Sequence, residues 1–139
     1  MSSYVGKQVK DVMTPREKLV TLPPSSTVRD AARKMIEEEV GSILITEGEK
    51  LLGIFTERDI VRCVSKNTSM DEKLDKVMTR DLIVIGIDKP LSKAAYLMSE
   101  NNIRHLPVVD EENRLVGILS SRDIARFYAE VIESAEYRE

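Results

Sequence analysis

The 139-residue sequence predicts an α+β fold made of two tandem β-α-β-β-α units. Two observations carry that expectation. Most of the chain is written twice, at an offset of 63 to 65 residues. Within each copy, apolar residues at helical spacing alternate with short β-like runs bounded by Pro, Gly, Asp and Lys. A repeat this long is too large for a solenoid turn and fits two copies of a small α/β unit.

The elements follow in order. "VKDVMT" (Val9–Thr14) answers to "LDKVMT" (Leu74–Thr79), and opens each copy. "EKLVTL" and "DLIVIGI" read as short strands. Thr27 then opens a helix whose apolar residues Val28, Ala31, Ala32, Met35 and Ile36 keep helical spacing. Its twin, opened by Asp88 with Pro90 in the first turn, carries Leu91, Ala94, Ala95 and Met98. "SILIT" and "LLGIF" form one hairpin, and "HLPVVD" and "RLVGIL" the other. Thr56 and Ser120 start the second helix of each copy, in "GIFTERDIVR" (Gly53–Arg62) and "GILSSRDIAR" (Gly117–Arg126). Between the copies, Ser69 and Glu72 are spaced as a capping box for a short linker helix. The division expected is 1–66 for the first unit and 67–139 for the second, the latter with linker helix and C-terminal helix. "ESAEYRE" reads as a frayed helix end, Glu37–Glu39 as a solvated one, and Met13, Met35, Met78 and Met98 as core or interface fillers.

Composition narrows the function. Hydrophobic residues make up 42% and charged residues 32%, with a net charge of −3 and both signs interspersed. That pattern argues against nucleic acid as the main partner. No apolar run reaches the roughly 20 residues of a membrane span, and the start of the chain does not read as a signal peptide. Cys63 is the only cysteine and His105 the only histidine, without companions at metal-ligand spacing. A cytoplasmic protein without a metal is expected.

The order of these elements, with "VMT", "HLPVVD" and the twice-written G-I-apolar-[TS]-x-x-D-I, resembles the CBS domain, named after cystathionine β-synthase. The duplicated arrangement resembles a CBS pair, or Bateman module, from about Val9 to about Phe127. The resemblance implies two sheets packed face to face with pseudo-twofold symmetry, leaving two clefts. It implies that those clefts take adenosine-containing ligands such as AMP, ADP or ATP, with S-adenosylmethionine and NAD also in range.

The residue types fit such a ligand. A helix N-terminus offers unpaired N–H groups and partial positive charge to a phosphate, and the hydroxyls of Thr56 and Ser120 can add a donor. Arg58 and Arg122 sit in the same first turns and can meet phosphate oxygens. Asp59 and Asp123 are repelled by phosphate but can accept from both hydroxyls of a ribose. The adenine would lie against apolar runs at Leu19–Val20 and Ile83–Val84. The competing reading is equally physical: Ser/Thr-x-x-Asp before an apolar helix is a capping box in which each side chain satisfies its own backbone.

The copies differ before their hairpins, where the first has Gly41 and Ser42 and the second Arg104 and His105. By resemblance, this position faces the cleft closed by the other unit's Asp. One cleft then joins Thr56, Arg58 and Asp59 to Arg104, His105 and the Thr79 segment. The other joins Ser120, Arg122 and Asp123 to Ser42, Ile43 and the Thr14 segment. Leu44 stands where the second copy has Pro107, so the two clefts are not equivalent. No nucleophile is placed beside His105, which argues against an enzyme. Three function classes remain: an adenine-nucleotide sensor acting on a protein partner in trans, with no required cofactor; a structural dimerisation module with no nucleotide; and an enzyme acting on a nucleotide. A homodimer is expected through the stripes Val28–Ala31–Ala32–Met35 and Leu91–Ala94–Ala95–Met98, joined by Ile60, Val64, Ile124 and Phe127.

Overall fold

The computed structural model describes residues 6–136. In chain order these form a 3-10 turn (Val9–Asp11), β1 (Thr14–Pro15), a second 3-10 turn (Arg16–Lys18), β2 (Thr21–Leu22), α1 (Val28–Glu38), β3 (Ser42–Glu47) and β4 (Lys50–Thr56). Then come α2 (Glu57–Ser65), α3 (Leu74–Val77), β5 (Ile85–Gly86), α4 (Leu91–Asn101), β6 (His105–Val109), β7 (Leu115–Ser120) and α5 (Ser121–Glu136). Of "ESAEYRE", residues through Glu136 are helical, and Tyr137–Glu139 lie outside the described residues.

Two compact units divide the chain at Lys18/Leu19 and Leu82/Ile83. Leu19–Leu82 forms the Asp59 unit; the described residues up to Lys18 join the described residues from Ile83 onward in the Asp123 unit. The division at 66/67 separates copies in the sequence, whereas these units exchange the opening segments of the copies. Val9–Thr14 sits with the second copy, and Leu74–Thr79 with the first.

In the Asp59 unit, β3 and β4 form the expected antiparallel hairpin, with Ser42 opposite Thr56, and β2 adds in parallel to β3. Its core is Val28, Ala31, Met35, Ile43, Ile45, Phe55, Cys63, Leu74 and Met78. In the Asp123 unit the order is β1-β7-β6-β5, with His105 opposite Ser120 and β5 parallel to β6. Val9, Ile85, Leu91, Ala94, Met98, Leu106, Val108, Leu119 and Ile124 fill that core. Met35, Met78 and Met98 are thus core fillers, and Met13 packs against the second cluster.

Four expectations need correction. The stripes assigned to a dimer surface are spent inside the units: Val28 and Ala31 are fully buried, as is Ala94, with Leu91, Met35 and Met98 nearly so. Each stripe covers its own small sheet, because a three- or four-stranded sheet has no other cover for that face. Among the described residues, the large apolar side chains left exposed are Ile36, Val61 and Val64 in the Asp59 unit and Tyr96 and Ile132 in the Asp123 unit. Second, "EKLVTL" and "DLIVIGI" yield only two-residue strands, Thr21–Leu22 and Ile85–Gly86. Pro23 and Pro24 end the first, since proline brings no N–H to the ladder.

Third, α4 is entered through Pro90 rather than capped by Asp88, whose carboxylate instead meets Lys10 Nζ at 3.2 Å. The first-turn N–H groups find backbone acceptors: Leu91 donates to the Lys7 carbonyl and Lys93 to that of Pro90. Fourth, Ser69 and Glu72 form no capping box. Glu72 N–H donates to the Ser69 carbonyl in a turn, and α3 starts at Leu74 behind Lys73. Buried Leu74 places that helix, with its N–H on the Ser26 carbonyl at 2.8 Å. Linker carbonyls of Glu72 and Met70 in turn accept from Val28 and Arg29 at the start of α1, which Thr27 opens as expected, its cap completed by Asp30.

Candidate functional site

The strand β4 ends at Thr56 in extended backbone and turns directly into α2, so the first N–H groups of the helix open beside the hairpin. Glu57 N–H reaches the Gly41 carbonyl at 3.1 Å. Asp59 N–H donates to Thr56 Oγ1 at 3.4 Å, while Thr56 N–H donates to Asp59 Oδ2 at 2.9 Å. The capping box is therefore formed, and it satisfies donors the helix cannot satisfy itself.

Capping does not exhaust the carboxylate. Its side chain is only 4% exposed, and Oδ1 accepts from Arg62 Nη1 at 2.7 Å and from Thr79 Oγ1 at 3.1 Å. A charge so deeply buried needs such partners, because an unpaired one would be strongly disfavoured. Thr79 comes from the segment after α3 and is exposed. Its backbone is held by a reciprocal bridge: Thr79 N–H to Ile54 carbonyl at 2.9 Å, and Ile54 N–H to Thr79 carbonyl at 3.0 Å. That crossing passes over Gly53, where a Cβ would stand 2.8 Å from both Met78 Sδ and the Thr79 carbonyl oxygen. The repeated "VMT" and the repeated glycine before Ile are thus two halves of one close approach.

The Asp123 unit repeats the plan. Ser120 N–H donates to Asp123 Oδ2 at 2.9 Å, Asp123 N–H to Ser120 Oγ at 3.1 Å, and Ser121 N–H to the Arg104 carbonyl at 2.8 Å. Here Arg126 stands 3.8 Å from Asp123 Oδ1, and the carboxylate is 17% exposed. Thr14, at the end of the matching "VMT", lies opposite Ile118, and its carbonyl would be 2.6 Å from a Cβ at Gly117.

The residues expected at a site divide between the units. Leu19, Val20, Ser42, Ile43, Thr56, Arg58, Asp59 and Thr79 belong to the Asp59 unit; Thr14, Ile83, Val84, Arg104, His105, Ser120, Arg122 and Asp123 belong to the other. Within the first, Thr56, Asp59 and Thr79 come together, Ser42 is opposite Thr56, and the Val20 carbonyl accepts from Leu44 N–H. Ile43 is fully buried in the core, so only its backbone is available to a ligand. Within the second, His105 is opposite Ser120, and Ile83 packs against the core. Arg58, Arg104 and Arg122 are exposed.

Sequence reasoning missed Arg62 and Arg126. Their signal was present: an arginine follows each aspartate by three positions, the helical spacing at which side chains meet. Cys63, one residue further, is buried; desolvation pushes its thiol up, and the Asp59 charge adds to that. Among the described residues, no helix is long and apolar enough to cross a membrane.

The CBS domain family model matches residues 9–66 and again 74–130. The CBS domain-containing protein YhcV of Bacillus subtilis is 36% identical over 118 residues, 84% of this chain and 82% of that protein. Other relatives carry enzyme names and are far longer, this chain spanning 21% to 24% of their length. Among solved structures, the CBS domain pair of protein MJ0100, in complex with 5′-methylthioadenosine and S-adenosyl-L-methionine, superimposes with a TM-score of 0.80. It is 32% identical and covers 89% of this chain and 97% of that one. The CBS domain protein PAE2072 from Pyrobaculum aerophilum, complexed with AMP, gives a TM-score of 0.81 at 28% identity over 94% of this chain and 99% of that one. Two matched segments in tandem, each carrying the capped aspartate and the crossing over glycine, place the chain in the CBS domain family.

Proposed function

We propose that this chain is a regulatory module that binds an adenine nucleotide, AMP, ADP or ATP, and acts on a protein partner in trans in the cytoplasm. The observation that carries the reading is the Asp59 carboxylate, buried at a helix start and flanked by hydroxyls and an arginine. A cap needs only one carboxylate oxygen; the second is aimed at groups a ribose can replace. The AMP complex of one CBS neighbour and the S-adenosylmethionine complex of another support the ligand class.

We carry over from the family resemblance that each ligand draws on both units, Asp59 with Arg104 and His105, and Asp123 with Ser42 and the Ile43 backbone. Leu19–Val20 and Ile83–Val84 then line the adenine slots. On that assignment Arg58 and Arg104 both belong with Asp59, so we propose that AMP fills the Asp59 site first and that the other is weaker or takes a less charged adenosine. One charge-assisted hydrogen bond contributes roughly 1.5–3 kcal/mol before solvent screening, about tenfold in affinity after it. Calorimetric titration with AMP, ATP, S-adenosylmethionine and NAD tests this. Asp59→Ala is expected to remove the tight phase and Asp123→Ala to spare it; the reverse pattern would refute the site order. Nucleotide recovered unchanged after incubation separates binding from turnover.

The second reading is a dimerisation module with no physiological nucleotide. It is favoured by the completed capping boxes and by the absence, among the described residues, of any buried side-chain N or O without a partner. Absence of binding by all four ligands at millimolar concentration would establish it. Under either reading we propose a homodimer, now through exposed Ile36, Val61 and Val64 rather than the buried stripes.

A further inference from the structure

Thr79 and Arg62 cover the same oxygen of Asp59. Oδ2 is committed to the cap, taking Thr56 N–H at 2.9 Å and Thr56 Oγ1 at 3.3 Å. Oδ1 takes Arg62 Nη1 at 2.7 Å and Thr79 Oγ1 at 3.1 Å. Two donors on each oxygen use the roughly four lone-pair positions of a carboxylate, so a ribose diol can bind only by exchange. The two oxygens differ in how readily they exchange. Thr56 N–H is fixed by the start of α2, and losing it would leave a helix donor unpaired. Arg62 is 52% exposed and Thr79 is exposed, so both find water when released. The backbone of Thr79 is pinned on both sides to Ile54, so its hydroxyl leaves by side-chain rotation alone.

We infer that Thr79 and Arg62 form a displaceable latch on Asp59 Oδ1, which an adenosine ribose must open and which holds the affinity of this site below what Asp59 alone would give. The inference rests on the proposed adenosine binding at Asp59. Thr79 is a positioning residue in this scheme. It orders the carboxylate without ligand and yields it when the diol arrives. Removing its hydroxyl therefore has opposite effects on stability and on binding, which loss of ordinary packing does not produce.

The test titrates adenosine into Asp123→Ala protein, so that only the Asp59 site reports, and compares it with the same protein carrying Thr79→Val or Thr79→Ser. Thermal melts without ligand are run on all three. Thr79→Val is expected to melt lower and bind adenosine about fivefold tighter, the factor for one net hydrogen bond. Thr79→Ser, which restores the hydroxyl, is expected to return both values toward the parent. Arg62→Gln, with a shorter uncharged donor, is expected to tighten binding in the same sense. Unchanged or weaker binding by Thr79→Val overturns the latch while leaving adenosine binding intact. Binding by wild type that vanishes in the Asp123→Ala parent also overturns it, by removing Asp59 from the sites. No binding by wild type refutes the function itself, and the latch with it.

Discussion

Gly53→Ala tests why the two halves of the repeat motif belong together. Gly53 does not need a left-handed backbone; it needs empty space. A methyl group there would sit 2.8 Å from Met78 Sδ and 2.8 Å from the Thr79 carbonyl oxygen. The thioether can swing aside. The carbonyl cannot, because it accepts from Ile54 N–H at 3.0 Å while Thr79 N–H donates back at 2.9 Å. Relief must come from pushing the Met78–Thr79 segment off β4, which strains packing by about 1–3 kcal/mol and weakens hydrogen bonds of about 1 kcal/mol each. Restricting the unfolded chain returns about 0.4–1 kcal/mol. A net loss of about 2 kcal/mol is expected. Gly86→Ala is the control: its methyl group would meet only Lys89 Cγ at 3.5 Å and Cε at 3.8 Å, ordinary contacts with a flexible side chain. It is expected to lie within about 0.5 kcal/mol of wild type or slightly above. Urea unfolding followed by circular dichroism measures all three, with similar slopes required for comparison. The reasoning fails if Gly53→Ala unfolds within about 0.5 kcal/mol of wild type, or if Gly86→Ala is equally damaging. Because Thr79 also reaches Asp59, Gly53→Ala is further expected to alter adenosine binding, whereas Gly86→Ala is not.

Asp110 at the β6–β7 turn is held below the ordinary carboxylate range, first by the backbone N–H of Arg114 and then by its guanidinium, and Asp30 by the backbone N–H of Thr27. Depressed values in the folded chain mean stability that is complete above the unfolded carboxylate value, about 4, and is lost as pH falls through the folded one. Acid titration of Asp110→Asn should show a shallower loss below about pH 4; an unchanged slope would contradict the assignment. Cys63 is buried with its thiol pushed up, so iodoacetamide at mildly alkaline pH should label it slowly in folded protein and rapidly in urea. Fast labelling of the folded chain would show that α2 opens readily. Sedimentation at micromolar concentration should give a dimer for wild type and a monomer for Ile36→Glu with Val64→Glu; a wild-type monomer would count against the exposed apolar face as an interface.

The order of helices and hairpins, the duplication and the capped aspartates could all be read from the amino acids. Those features are written by neighbours three, four or two positions apart, such as Val28–Ala31–Met35 or Thr56–Asp59, and local spacing is what a linear text records. The short strands were overextended because the length of a parallel partner belongs to another part of the chain. Pro90 replaced Asp88 at the start of α4 because Lys7, far away in sequence, supplied an acceptor. The dimer stripes were misplaced for a related reason: amphipathic spacing shows that a face is buried but not against what, and each unit's own sheet claimed it. Residue spacing alone left open which "VMT" meets which hairpin, since two identical strings fit two glycines equally well on paper; the family resemblance paired Thr79 with Asp59 and Thr14 with Asp123, and the tertiary structure supplied the backbone crossing over glycine. That crossing brings Thr79 to Asp59 and sets Met78 against Gly53, contacts made across 20 or more positions whose energy depends on distance in space and not on position in the chain.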